Sequence, residues 1–403
     1  MFRLECELSH SLLRPSPQPP VLSVVMLTWR RPKEMTEAVV SIADQIHGEL
    51  ASKVEIIVTD NASGHETAAA LKQLAANYAS VNYMIHARDE GGQFQIYAAP
   101  NRARGRWTWV FGDDDALDAG GLEPIVELLE REQPDFLTLN RQVWNQDFDT
   151  LLAPAKHKLP DRRFESFLDL VALFGWDQLS FLTSQVYASD LALRVDPEPY
   201  MAAVSRYGQL GYYLEGFHDR PAFYSSLPSV RHRWDPGAQD THAANFLHLA
   251  TTLPEVVQLA IDAAGLDPGL FERIGGRRRN LEQAPDEPLT FVDNIIENLW
   301  RCMAVGVRIE ARRWEELEQL SAQWRPDHAD QLKTVRQIHA SVGAALDHHQ
   351  ALVDEYLQRI AAGPRTEQDL DMLNRLSTAA RSLEGNINEA RKTALAMAGQ
   401  LNR

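Results

Sequence analysis

Short, mostly apolar runs alternate with longer segments of helical spacing through the first third of the chain. Val21–Leu27, Val54–Val58, Val81–Ile85 and Trp107–Phe111 have the continuous hydrophobicity of strands buried on both faces. Between them, Lys33–Ile46 carries apolar residues at Met35, Val39, Ile42 and Ile46, and His65–Tyr78 is alanine-rich; Leu122–Leu129 follows the fourth run. Strands alternating with helices at this spacing predict a parallel sheet with helices on its faces. Phe136–Trp234 is less regular, with strands expected at Phe181–Tyr187 and Pro221–Leu227.

Beyond about Asp240 the pattern becomes long, charged and amphipathic. Helices are expected over Phe291–Trp314, Ala329–Ala362 and Glu367–Leu401, with Gly363-Pro364 as a stop and Thr366 with Asp369 as a capping box. No repeat period or sustained heptad is present. Pro15–Pro20 can be neither helix nor central strand. The expected division is an extended leader over 1–20, an α/β domain over 21–240 and a helical domain over 241–403.

Composition narrows the classes. The chain has 403 residues and is 44% hydrophobic, enough for a substantial core. Its 56 acidic against 40 basic residues give a formal charge of -16, which argues against a nucleic-acid binder. Cys6 and Cys302 are too few for a disulfide framework, so a reducing compartment fits. Glu5 and Glu7 interrupt any signal-peptide pattern, and no run approaches the ~20 apolar residues of a membrane span. A cytoplasmic protein is expected, with peripheral attachment at the inner face of the membrane still compatible.

The candidate chemistry sits behind the fourth strand. Asp113, Asp114 and Asp115 follow Trp107–Gly112 directly, at the strand edge where open α/β sheets bind ligands. Adjacent carboxylates repel, so the cluster is costly unless a cation neutralises it, and all-oxygen ligation suits Mg²⁺ or Mn²⁺. The competing reading is a solvated turn capping the next helix through Asp115 or Asp118. Asp60, in Thr59-Asp60-Asn61-Ala62-Ser63, ends another strand; it suits a ribose or base N–H, but taken alone an Asx-turn is the better reading.

These residues resemble the family-2 glycosyltransferases, which have the GT-A fold. Ser23–Pro32, with Thr28, Trp29, Arg31 and Pro32, is similar to that family's opening strand and turn, although Arg30 replaces the common Asn. Glu55–Ser63 resembles its second-strand nucleotide motif, Asp89-Glu90-Gly91-Gly92 the loop before its third helix, and Ala103–Asp115 the run into its metal motif. Four motifs in order cover about a third of the chain. The resemblance implies a Rossmann-like mixed sheet flanked by helices, with Thr28, Trp29 and Arg31 at the nucleotide-sugar site and Asp60 on base or ribose. It implies an acid motif in which Asp115 is the favoured direct metal ligand, assisted by Asp113, with Asp114 alongside. Gly112 stands where many relatives have the first Asp.

It further implies an inverting glycosyltransferase that moves a sugar from a nucleoside-diphosphate donor to a saccharide or glycoconjugate acceptor, as in polysaccharide assembly. Such chemistry needs a carboxylate base. The matching stretch, Arg206–Glu215, has Gln209 where relatives place an acid. Asp177 is the marginal favourite, with Glu215 and Asp219 as alternatives. Arg231 and Arg233 could clamp diphosphate oxygens, Arg233-Trp234 being similar to an Arg-Trp pair of relatives, and His232 could join the metal shell. His242, His248, His348 and His349 read as structural, and Arg277–Arg279 as a solvated loop rather than a lipid contact. Phosphatase and nucleotidyltransferase readings rank low, since Thr28-Trp29-Arg30 supplies neither a nucleophilic Asp nor a glycine- and lysine-rich loop. The alternative is a degenerate transferase acting as a nucleotide-sugar-binding scaffold through its helical domain, which could also mediate self-association.

Overall fold

The computed structural model of the chain describes residues 4, 6–15, 18–204 and 206–234, and then 252–253, 255–267, 269–270, 314–315, 318, 329–362, 372–382 and 385. The elements run β1 (Leu8–Leu12), β2 (Leu22–Thr28), α1 (Pro32–Ala43), α2 (Leu50–Lys53), β3 (Val54–Asp60), α3 (His65–Asn77), β4 (Val81–His86), α4 (Gly92–Arg102) and β5 (Trp107–Gly112). Then come β6 (Ala116–Leu117), α5 (Leu122–Glu132), β7 (Phe136–Trp144), β8 (Leu151–Ala153), β9 (Arg162–Phe164) and α6 (Phe167–Ser180). β10 (Gln185–Ala188), α7 (Ser189–Ala192), α8 (Glu198–Ala203), α9 (Gly208–Phe217) and β11 (Ala222–Arg233) complete the α/β part.

Among the described residues these strands form one sheet of 11, ordered β1-β4-β3-β2-β5-β10-β7-β11-β6, with β8 added to β7 and β9 to β11. The four apolar runs of the sequence are the parallel block β4-β3-β2-β5. Helices bury both of its faces, which is why β2 and β3 show no polar alternation. Their side chains join α1, α3 and α5 in one core containing Val24, Met26, Ile56, Val58, Trp109 and Phe111, all without solvent contact.

Beyond β5 the expectation of a purely parallel sheet gives way. β10 lies antiparallel to both β5 and β7, so the sheet is mixed, as the family resemblance implied. The strand expected over Phe181–Tyr187 begins later, because Leu182–Ser184 is a 3₁₀ turn. Gln185 Nε2 closes that turn by donating to the carbonyls of Gln178 (2.8 Å) and Phe181 (3.1 Å). The expected leader contains β1, which adds antiparallel to the edge of β4. Arg14 fastens it, its N–H donating to Asn82 Oδ1 at 2.8 Å and its guanidinium to the carbonyls of Val81 and Ala75.

Contacts gather the chain into two units, Met1–Gly237 with Glu255–Thr290, and Ala238–Pro254 with Phe291–Arg403. In the first, residues 255–264 are helical. In the second, α10 (Ala329–Ala362) is a 34-residue helix with the expected bounds, and residues 372–382 are helical. Most of Phe291–Trp314, the remainder of Glu367–Leu401 apart from residue 385, His242, His248 and Arg277–Arg279 lie outside the described residues. No helix among the described residues is long and apolar enough to cross a membrane.

Candidate active site

Register builds the site. Thr28 of β2 pairs with Asp60 of β3, and Leu27 pairs with Gly112 of β5, so three parallel strands end at one level. The turns that follow them, 29–31, 61–63 and 113–115, therefore collect at one edge of the sheet, where ligand crevices of parallel sheets lie. A cavity of about 460 Å³ opens there. Val110, Phe111, Ile96 and Leu182 supply apolar wall, while Thr28, Trp29, Arg31, Asn61, Asp89 and Asp113 bring polar groups to it. Trp29 is half exposed at this cavity, with the Arg30 guanidinium 4.6 Å over its ring. Arg30 is in the left-handed region (φ 56°), and its N–H donates to Ser63 Oγ at 2.7 Å.

The acid turn lies against this wall. Asp113 is buried and accepts from Thr28 Oγ1 (2.8 Å), the Trp29 N–H (3.3 Å) and Arg31 Nη1 (3.1 Å). Asp114 is more exposed and accepts from the same Arg31 nitrogen at 2.7 Å. Asp115 is buried, accepting from Thr183 Oγ1 (2.5 Å) and the Arg233 N–H (3.3 Å). Burial, then the charge of Asp114, pushes the Asp113 pKa up to about 6 despite Arg31, Thr28 and Trp29. Burial and Asp114 likewise hold Asp115 well above the ordinary carboxylate range. The turn does not cap α5, whose N-cap is Gly121 without a side-chain bond. Asp118 instead pairs with Arg231 at 3.0 Å, which takes Arg231 away from any diphosphate.

Gly112 explains the departure from the family's usual acid at its position. A Cβ there would lie 3.0 Å from Asp114 Oδ1, 3.2 Å from Thr183 Oγ1 and 3.3 Å from Asp115 Oδ2. Three oxygens thus surround the place a side chain would fill. Hard oxygen donors around under-compensated negative charge fit Mg²⁺ or Mn²⁺. Among the described residues no three His, Cys, Asp or Glu side chains converge as ligands, so the rest of a coordination shell falls to other oxygens.

Several sequence candidates sit elsewhere. Arg233 has all three nitrogens committed: Nε donates to the Asp114 carbonyl (2.8 Å), Nη2 to Glu37 Oε2 (2.8 Å) and Nη1 to the Gln146 carbonyl. Its guanidinium also lies 4.1 Å over Phe148, so it fastens the acid turn rather than facing a diphosphate. His232 packs against Phe181, ring centroids 4.4 Å apart, and joins no three-residue ligand group. Asp60 is wholly buried, off the cavity wall, and accepts from the Ser63 N–H at 3.2 Å in the Asx-turn geometry; burial raises its pKa. Glu215 points to Tyr200, whose hydroxyl donates to it at 2.6 Å, and does not line the cavity. Asp177 lies on α6 just past Gly175, which breaks the helix at φ 66°; its side chain is outside the described residues.

The structure adds groups that the site reading did not single out. Asn61 Nδ2 donates to Asp89 Oδ1 (2.5 Å), and Asn61 Oδ1 accepts from the Glu90 N–H (2.9 Å) and Gln95 Nε2 (3.0 Å). Gln95 Oε1 accepts from Arg102 Nη1 at 2.7 Å, and Arg102 Nη2 meets His86 Nε2 at 2.8 Å. This network holds the loop 89–92 against the cavity, where Gly91 takes φ 83°. Gln95 and Arg102, one helical face apart by seven residues, were a legible pair; Thr183 gave no signal.

Residues 23–182 match the family model "Glycosyl transferase family 2". That stretch, about two fifths of the chain, is similar to the family-2 glycosyltransferases. The mixed 11-stranded sheet with flanking helices agrees with the architecture that this resemblance implies. No curated protein matches the chain in sequence. Similar solved structures include S. aureus TarS, 14% identical over 77% of this chain and 53% of that one, at a TM-score of 0.43. The chain thus spans about half the length of TarS. TarS 1-349 is 14% identical over 78% of this chain and 91% of that one, at 0.48. The mannosyltransferase PcManGT from Pyrobaculum calidifontis, in complex with GDP-Man and Mn2+, is 12% identical over 82% and 88%, at 0.43.

Proposed function

We propose that this glycosyltransferase takes a sugar from a nucleoside-diphosphate donor held in the 460 Å³ cavity and passes it, with inversion, to a hydroxyl of a saccharide or glycoconjugate acceptor. The observation that carries the reading is the meeting of the β2, β3 and β5 ends at a cavity whose wall includes Asp113 of the buried acid turn. Trp29 offers its face to the nucleobase, and Arg31 offers the diphosphate oxygens a guanidinium fork. Thr28 and the Trp29 N–H orient Asp113, while Thr183 and the Arg233 N–H orient Asp115. Asp115, with Asp113 or Asp114, would hold a Mg²⁺ or Mn²⁺ ion, which supplies charge to offset the departing diphosphate. Asp177 is the proposed base, and residues 21–240 and 241–403 the proposed domains. A cytoplasmic enzyme fits this reading.

Gln209 in the place of an acid, with Glu215 turned to Tyr200, favours a second reading in which donor binds without turnover. Thermal shift with UDP-, GDP- and dTDP-sugars, with and without Mn²⁺, tests binding, because a native-state ligand raises the melting temperature. Donor hydrolysis in the same mixtures separates the readings. Stabilisation with hydrolysis supports the enzyme, stabilisation alone the scaffold, and neither across the panel would falsify both.

A further inference from the structure

Two arginines touch the acid turn, and they are held very differently. Arg233 uses Nε, Nη1 and Nη2 on three separate acceptors, and its side chain is 12% exposed. Arg31 reaches Asp113 and Asp114 through Nη1 alone, is 50% exposed, and its Nε and Nη2 donate to no described residue. Arg233 is fixed by packing as well as charge, whereas a half-exposed single-nitrogen pair is weakly held. Arg31 also lines the donor cavity, which Arg233 does not.

We propose that Arg31 is a built-in counter-cation of the acid turn that competes with the divalent ion for the same carboxylates, an inference that rests on the metal reading above. Asp115, the third carboxylate, receives nothing from Arg31. An ion held by Asp115 gains from a second carboxylate, and the two beside it, Asp113 and Asp114, each give one oxygen to the guanidinium, Oδ1 and Oδ2 respectively. One positive group on those oxygens repels the other and uses their lone pairs. Ion and guanidinium therefore weaken each other's hold on these carboxylates, and a fork loosened by the ion, already at the cavity wall, is left to the oxygens of a diphosphate. The fixed arginine keeps the turn in shape while the loose one exchanges partners.

Titration with Mn²⁺ alone, followed by the loss of its free-ion paramagnetic resonance signal, tests the competition on the full chain. Arg31→Gln is expected to bind Mn²⁺ on the order of tenfold more tightly than the parent, with Arg31→Lys between them, as suits a half-exposed pair. With Mn²⁺ present at saturation, Arg31→Gln should bind UDP or GDP several-fold more weakly than the parent, and the deficit should shrink without metal, where the carboxylates hold the guanidinium. Melting temperature verifies folding, and Asp115→Asn serves as the site control. Equal or weaker Mn²⁺ binding by Arg31→Gln, with Asp115→Asn weakening both backgrounds, overturns the competition while leaving the metal site standing. Mn²⁺ binding by none of the variants overturns the competition together with the metal clause of the proposed function.

Discussion

The two sides of the donor cavity treat buried polarity in opposite ways. On one side, Asn61, Gln95, Arg102 and His86 form a chain in which Asn61 Oδ1, Gln95 Oε1 and two Arg102 nitrogens all have partners. On the other, among the described residues, one half-exposed arginine is bonded to two of three consecutive carboxylates and Arg141 adds only its charge to the third, and two of the three are pushed up in pKa by burial. A satisfied buried network rigidifies its surroundings, whereas concentrated charge without compensation is costly until a ligand supplies the opposite sign. The first side is a finished frame. The second is a socket.

The largest expected effect is on the socket. Asp115→Ala should lower glycosyl transfer by about a hundredfold to a thousandfold, the scale of losing a preorganised electrostatic contact. The melting temperature should change little, since the substitution also removes a buried, destabilised charge. Transfer or donor hydrolysis measured beside thermal unfolding separates the two. A folded Asp115→Ala with parental turnover would remove the acid turn from the site.

The same contrast has a signature in pH. Burial, then the charge of Arg102, lowers the His86 pKa from 6.5 to about 4, so the native state resists protonation; the stability this represents is present above pH 6.5 and is lost as pH falls toward 4. Asp113 runs the other way: with a native pKa of about 6 against 3.8 unfolded, it costs stability at pH 7, and that cost fades as pH falls from 6 toward 3.8. Each contributes about 3 kcal/mol across its window. Denaturant unfolding of metal-free protein from pH 4.5 to 7.5 should show His86→Gln gaining on the parent as pH falls. Asp113→Asn should gain as pH rises. Two difference curves with the same slope would break the comparison.

A smaller effect is expected from the frame itself. Gln95→Ala strands Asn61 Oδ1, Arg102 Nη1 and a buried imidazole nitrogen in part, and should cost about 2 kcal/mol in denaturant midpoint terms. It should also weaken nucleoside-diphosphate binding, because Asn61 and the Asp89 loop lose their brace. A neutral Gln95→Ala would mean the network is ornamental to the loop.

How much of this was legible follows from what each element needed. β2, β3, β4 and β5 announced themselves because strands buried on both faces are predominantly apolar, without the alternation of a half-exposed strand. The acid turn was legible because three carboxylates after such a strand have few structural reasons to be there. β1 was not, since an edge strand with the pattern Leu-Ser-His-Ser-Leu owes its place to backbone pairing with β4 and to Arg14. Arg231 and Arg233 were legible as basic residues, but not the partners that engage them, because Asp118, Glu37 and the Gln146 carbonyl are distant in sequence. Thr183 reaches Asp115 only through the 3₁₀ turn after α6, which no local pattern reveals.

The smallest expected effect concerns Asp60, and it sharpens the boundary between frame and socket. The carboxylate is buried and off the cavity wall, and among the described residues its bonds are to Ser63, while Asn61 next to it lines the cavity. Asp60→Asn keeps an oxygen for Ser63 and removes a charge that burial disfavours. Stability should therefore stay within about 1 kcal/mol of the parent. Affinity for UDP or GDP should stay within about twofold, whereas Asn61→Ala should lower it more. If calorimetry instead found a tenfold loss in Asp60→Asn with an unchanged melting temperature, Asp60 would be a ligand contact. The socket would then extend across β3 to the very residue that terminates it.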